Sequence, residues 1–294
     1  MDTPSARSNH KAPVPRGGGV VMIGAALVFL WLEGMDTTVL LSALGLCAVS
    51  FIDDWRGGLS PLIRLLVQCI AVAVCITALP GRIFPDYVPV AVEWAFVALA
   101  WLWFINLTNF MDGIDGISAM QAILMLAGIC MVRLVDPVVP HDLAAQACVV
   151  AASAYGFYRL NRSPAKLFMG DSGSVPLGFL NGYLLLSVAA WGQPLPALIL
   201  PAYYLFDATF TLLKRLLRKE KIWLPHSQHA YQQAVRSGRS HAAVVAEISW
   251  LNAIVVVLAM LATISMMAGI AAVIAAYALS ASLFYRFTHA HSVR

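Results

Sequence analysis

The chain has 294 residues, of which 60% are hydrophobic and only 12% charged, with a net charge of +4 and a mean hydropathy of +0.78. These values exclude a soluble globular domain and a disordered chain. They describe an all-α, polytopic integral membrane protein with the lipid bilayer as its first partner, and no nucleic-acid partner is expected.

In chain order, a polar opening with Arg7, His10, Lys11 and Arg16 leads into Gly17-Gly18-Gly19. It carries no signal-peptide pattern. Roughly ten apolar runs follow, each near the length a helix needs to cross a bilayer. They fall at about 17–32, 37–52, 62–79, 91–107, 117–132, 143–158, 175–190, 194–213, 242–263 and 267–285. The runs are continuous rather than alternating, which sets aside a β-barrel. No soluble domain fits between them, because the longest polar stretch, 214–240, is too short to bury a core. The whole chain, 1–294, therefore reads as one transmembrane domain, with a cytoplasmic segment over 1–16 and a basic loop over 214–241. Cys47, Cys69, Cys75, Cys130 and Cys148 all fall inside expected spans, without zinc-site spacing or loop placement, and read as packing residues.

Of the 19 Lys and Arg residues, all except Arg82 and Arg133 collect on one side when the ten spans alternate. By the positive-inside rule that side is cytoplasmic, and it holds both termini. The same alternation puts three acidic motifs on the cytoplasmic face. Glu33, Asp36, Asp86, Asp136 and Asp142, on the opposite side, show no pattern and read as solvated loop charges.

The first motif, Phe51-Ile52-Asp53-Asp54, ends the second span. Adjacent carboxylates repel, so a cation is needed to keep both ionised, unless the pair is only a polar stop. The second motif contains Asn106, Asn109, Asp112 and Asp115. On a helical turn Asp112 and Asp115 share a face, while Gly113 and Gly116 let a ligand approach the backbone. The third, Phe168-Met169-Gly170-Asp171-Ser172-Gly173-Ser174, follows Asn161, Arg162 and Lys166 and opens a helix with Pro176 near its start. Its free N–H groups can face an anion. A hard cation held by Asp171 and bridged to phosphate fits, with magnesium favoured because the ligands are oxygens. Asp207, inside the eighth span, is a functional candidate by burial cost alone. His226 and His229 suit either a metal pair or phosphate contacts, and with no cysteine or acid over 221–236 phosphate is preferred.

These motifs, in this order, resemble the polyprenyl-phosphate N-acetylhexosamine-1-phosphate transferases. That superfamily includes bacterial initiators of O-antigen and other surface glycans, and the phospho-MurNAc-pentapeptide translocase. The resemblance runs from His10 to Gln232, and the His226-Ser-Gln-His229-Ala-Tyr-Gln form looks more like the surface-polysaccharide branch. It implies a magnesium-dependent enzyme, with manganese as a substitute, in the bacterial inner membrane with its active site facing the cytoplasm. The substrates it implies are a UDP-sugar and undecaprenyl phosphate, the leaving product UMP, and a homodimer is consistent with it. By the same resemblance Asp171 and Asp112 are metal ligands, and Asp112 and Asp115 shape the nucleotide site. Lys11, Asn161 and Phe168 contact uridine, with Phe168 stacking. Asn106 and Asn109 belong to the substrate site, Asp53 or Asp54 deprotonates or orients the lipid phosphate, and His226 and His229 contact the diphosphate. Members of the superfamily usually have a further helix before the equivalent of residues 7–19, so the chain is expected to start late.

Both direct attack by the lipid phosphate and an aspartyl-phosphate route suit these residues, with direct attack preferred. An aspartyl intramembrane protease would need its acids within the bilayer rather than at helix ends. A secondary transporter would need inverted repeats and midplane sites, and no such repeat is visible. No residue pattern identifies the hexose.

Overall fold

The computed structural model describes residues 14–56, 58–221, 224 and 226–289. Among them the regular elements are all helical: α1 Gly18–Leu32, α2 Thr37–Arg56, α3 Pro61–Cys75, α4 Val90–Phe110, α5 Ile117–Val135 and α6 His141–Asn161. The second half contributes α7 Asp171–Ala190, α8 Pro194–Ile199, α9 Ala202–Leu217, α10 Ala230–Arg236, α11 His241–Leu261 and α12 Met266–Thr288. Seven helices are long and apolar enough to cross a bilayer: α2, α3 with the 3-10 turn that follows it, α4, α5, α7, α11 and α12. The chain is an all-helical, multi-pass membrane protein.

Each of the ten expected spans has its helix, with one broken. The run expected at 194–213 divides into α8 and α9. Pro201, at the junction, has no N–H for the helical ladder and its ring disfavours continuation. Helix starts follow local chemistry elsewhere. Ser60, Ser240 and Ser265 cap α3, α11 and α12 by accepting from Ile63, Ala243 and Ala268 N–H at 3.3, 3.2 and 3.2 Å.

The centre of the bundle is α7, with 89% of its span buried, packed against α1, α2 and α4. Trp101 of α4 stacks on Phe179 at 4.9 Å and donates its indole N–H to the Phe179 carbonyl at 2.9 Å. Such an internal partner is what an indole N–H needs inside a bilayer. Between α5 and α11, Asn252 donates to Gln121 at 2.7 Å, a polar tie between otherwise apolar helices.

The tightest helix approach is between α1 and α7 at Gly19 and Gly173. A Cβ on Gly19 would overlap the Gly173 backbone and come within 2.8 Å of the Met169 carbonyl oxygen. Backbone cannot yield as a side chain can. Gly19→Ala is expected to destabilise the protein by about 1–3 kcal/mol through overpacking. Gly24→Ala, on the same helix with open space around it, is expected to be neutral or better. Thermal unfolding midpoints in detergent check the pair, and equal midpoints would count against the close approach.

Candidate active site

The ends of α2 and α4 and the starts of α3 and α7 meet at one end of the bundle, and they bring the acidic motifs together. Asp53 is buried and Asp54 half-buried at the last turn of α2. Asp53 accepts from the Leu59 N–H, so the α2–α3 turn folds back over it. Arg64 of α3 lies with Nε 2.7 Å from Asp53 Oδ2 and with a terminal nitrogen 2.9 Å from Asp171 Oδ2. A single guanidinium thus ties the first motif to the third. Asn109 completes the junction by donating to Asp171 Oδ1 at 3.1 Å and to Ser174 Oγ at 2.9 Å.

The α7 N-terminus is occupied from within. Asp171 is its first residue, and the Ser172 N–H donates to Asp54 Oδ2 at 3.1 Å. A carboxylate of the first motif therefore sits where an anion was expected. Arg16 approaches the other Asp54 oxygen at 3.9 Å. Asp112 shares this environment. Burial pushes its carboxyl up to about 7, the negative charges of Asp171 and Asp54 push the same way, and the Ser118 hydroxyl and Arg16 oppose them. Among the described residues, four carboxylates, Asp53, Asp54, Asp112 and Asp171, meet two guanidiniums, Arg16 and Arg64.

Asp115 turns elsewhere. Residues 111–116 are not helical, and Gly116 has φ of +79°, so Asp112 and Asp115 do not share a face. Asp115 Oδ2 lies 3.2 Å from His241 Nδ1 at the start of α11 and accepts from the Ala165 N–H at 3.2 Å. Burial raises its pKa, but the His241 bond and charge and the bonds from Ala165 and Ser163 outweigh it and hold the group below the usual carboxylate range. A depressed folded pKa contributes stability that is complete above the unfolded value of about 4 and is lost as pH falls through the lower folded one. Wild type should therefore lose more thermal stability than Asp115→Asn between about pH 5 and pH 3. Parallel losses would remove Asp115 from this role.

Asn161, buried at the end of α6, accepts from the Gly116 N–H at 2.9 Å and donates to the Leu167 carbonyl at 2.8 Å. It joins the second motif to the segment before the third. Phe168 is half-buried, and its backbone is clamped by Pro15 O at 2.9 Å and Gly18 N at 3.0 Å. Asn106 faces α3, with its amide donating to Gln68 Oε1 at 2.7 Å and to the Leu102 carbonyl at 2.8 Å. Lys11 lies outside the described residues.

The histidine loop is anchored by Asp207. This fully buried carboxylate accepts from Tyr203 and Thr211 hydroxyls at 3.1 and 3.2 Å and from the Ala230 and Tyr231 N–H groups at 3.1 and 3.4 Å. His229 Nδ1 stands 3.3 Å from it, while the buried Nε2 has no partner among the described residues. Tyr231 then donates to the Phe110 carbonyl at 3.0 Å, and its hydroxyl fills the space over Gly113. The loop is thereby fixed against the second motif. His226 packs beside His229, with ring centroids 4.8 Å apart. Its pKa is lowered to about 4 by burial and by the charges of His229 and Arg215, so it is neutral near pH 7.

Arg64, Arg16 and Tyr231 also belong to the site, although in the sequence alone they stand out only as a positive-inside marker, a terminal cation and a loop aromatic. Their signal is position, three, one and six residues after Pro61, Pro15 and Pro225, and it is weak without the fold.

Three or more His, Cys, Asp or Glu side chains do not converge into a ready-made metal cage among the described residues. The carboxylates of Asp171 and Asp54 lie close enough to Asp112 to raise its proton affinity, and such oxygen donors fit a hard cation. Magnesium is characteristically held by one or two carboxylates together with substrate phosphates and water, so an open donor set suits it better than a closed one.

Residues 37–189, from the start of α2 to the end of α7, match the family model described as glycosyl transferase family 4. The chain belongs to glycosyl transferase family 4. The match encloses Asp53, Asp54, Arg64, Asn109, Asp112 and Asp171, the whole carboxylate cluster. This family 4 chain is 31% identical over 260 residues to a Bacillus subtilis (strain 168) protein named "Probable undecaprenyl-phosphate N-acetylglucosaminyl 1-phosphate transferase", covering 82% of the chain and 71% of that relative. It is 30% identical over 210 residues to the phospho-N-acetylmuramoyl-pentapeptide-transferase of Gloeothece citriformis (strain PCC 7424), covering 62% of the chain and 55% of the relative. The enzyme of that name from Microcystis aeruginosa (strain NIES-843 / IAM M-2473) is 30% identical over 188 residues, with 57% and 52% covered. The family 4 chain thus spans about half the length of those two relatives.

Proposed function

We propose that this family 4 protein transfers an N-acetylhexosamine 1-phosphate from a UDP-sugar to undecaprenyl phosphate, releasing UMP, at the start of cell-envelope polysaccharide synthesis. The observation that carries the reading is the convergence of Asp53, Asp54, Asp112 and Asp171 around Arg64 and Asn109 at one end of an apolar bundle. Two anionic substrates must meet there, one of them dissolved in the bilayer. In this reading the end faces the cytoplasm of a bacterial inner membrane, with ten crossings expected, and the one-sided distribution of basic residues supports the orientation.

In the proposed reaction an oxygen of the lipid phosphate attacks the β-phosphorus of the donor. A new P–O bond forms, the bond between the β-phosphorus and the bridging oxygen breaks, and UMP leaves with that oxygen. Asp171 and Asp112 would hold magnesium, or manganese in its place, and the bound cation supplies charge neutralisation for the phosphates. Asp53 and Asp54 orient the acceptor, with Arg64 drawing its phosphate toward them. Asn161 and Phe168 receive uridine, and Asn109 fixes Asp171. The loop of His226 and His229 meets the diphosphate, with Asp207 holding His229 in place. Positioning and charge stabilisation supply the catalysis, as in other phosphoryl transfers.

Incubating the full-length protein with magnesium, undecaprenyl phosphate and a panel of UDP-sugars tests the reading. UMP release from a UDP-HexNAc is expected, and none from any donor would overturn it. Including UDP-MurNAc-pentapeptide in the panel separates the surface-polysaccharide activity from the peptidoglycan one. Asp53→Asn is expected to lower kcat about 10-fold or more while donor KM stays within about 3-fold. A rise in donor KM as large as the fall in kcat would move Asp53 to the nucleotide site.

A further inference from the structure

The antiparallel helices α5 and α6, joined by residues 136–140, pack closely along their lengths. Cys130 on α5 and Cys148 on α6 face each other, Sγ to Sγ at 3.1 Å. That is only about 1 Å longer than a disulfide bond of ~2.05 Å. The remaining cysteines are on α2 and α3, where Cys75 faces the Thr38 carbonyl and the Ser42 hydroxyl rather than another thiol.

At ~1.5 Å rise per residue, Cys130 lies about 8 Å from the C-terminal end of α5 and Cys148 about 10 Å from the start of α6. Both ends are opposite the carboxylate cluster. Cys148 is exposed on the helix surface, which in a membrane-spanning hairpin is a surface toward lipid. Charged, water-soluble thiol reductants are excluded from that depth by the cost of desolvating them. Apolar two-electron oxidants dissolve there.

We propose that Cys130 and Cys148 are a disulfide-forming pair that staples α5 to α6. One S–S bond forms and two S–H bonds break. The two electrons and two protons pass to a quinone dissolved in the bilayer, which becomes its hydroquinol. The staple fixes the two helices whose opposite ends hold Gly116 and Asn161 in hydrogen-bond contact at 2.9 Å. It also restricts the unfolded chain, so the oxidised protein melts at a higher temperature than the reduced one.

Differential alkylation of the full-length protein tests the pairing. Membranes from aerobically grown cells are dissolved in denaturant with a first alkylating label, then reduced and given a second, and the peptides are mapped by mass spectrometry. Part of each sample is first exposed to a fully substituted quinone. Cys130 and Cys148 are expected to take the second label, and in Cys148→Ser membranes Cys130 is expected to take the first. First-label thiols at both positions, before and after quinone, would overturn the proposal. So would second-label Cys130 in Cys148→Ser membranes, because its partner would then be another cysteine.

Discussion

Asp171→Asn is expected to cut UMP release at least about 100-fold while leaving the fold intact, the scale of losing one charge-stabilising group aimed at a reacting centre. The amide keeps the shape and one acceptor oxygen for Asn109, and Arg64 retains Asp53. Removing one negative charge from beside Asp54 and Asp112 also relieves repulsion, so thermal stability without substrate should stay level or rise. What disappears is the charged oxygen donor with which the proposed magnesium site begins. Parallel measurement of melting and turnover separates the two outcomes. Near-normal turnover would remove Asp171 from the metal site, and a collapsed melting curve would make its role structural.

Asp207→Asn is expected to act in the opposite way, through stability and the histidine loop together. The carboxylate accepts from two hydroxyls, two backbone N–H groups and the His229 ring, with no exposure to solvent. An amide offers one acceptor and brings two donors into a pocket already full of donors. Breaking a buried charged arrangement by removing one partner costs about 3–5 kcal/mol. The loop should detach from Phe110 and Gly113, because the start of α10 is what places Tyr231 over them. Faster proteolysis within residues 214–229 and a loss of turnover at saturating donor are the expected readings. A protease-resistant loop with full turnover would show that Asp207 is dispensable.

Much of this arrangement is legible in the chain, because apolar run length sets bilayer crossing and the ten expected runs each became helix. The errors come from competing local chemistry. Pro201 breaks the eighth run, a stop that its lack of an N–H announces. The α7 helix starts at Asp171 rather than near residue 175, because Gly170, with φ of +72°, turns the chain sharply enough for the helix to begin at once. Within the basic loop, α10 has its signal in Gln232, whose Oε1 accepts from the His229 N–H at 3.3 Å, one half of a capping box with His rather than Ser or Thr at its start. The cluster of Asp53, Asp112 and Asp171 can be anticipated from topology, since alternating spans put all three at one end. The bridge by Arg64 cannot, because it depends on how the α2–α3 turn folds back over Asp53. Asp112 and Asp115 are three apart in sequence yet face different partners, because α4 stops at Phe110 and α5 starts only at Ile117, which leaves both in the connecting turn. The facing of Cys130 and Cys148 depends on the relative rotation of α5 and α6, which sequence spacing does not reveal.

The claim at the centre is that the β-phosphorus travels with the sugar. A UDP-HexNAc labelled at that phosphorus, supplied with undecaprenyl phosphate and magnesium to the full-length protein, follows it directly. The account predicts that the label moves into the organic-extractable lipid in step with UMP release. Label retained in water-soluble UDP while the sugar alone reaches the lipid would contradict it.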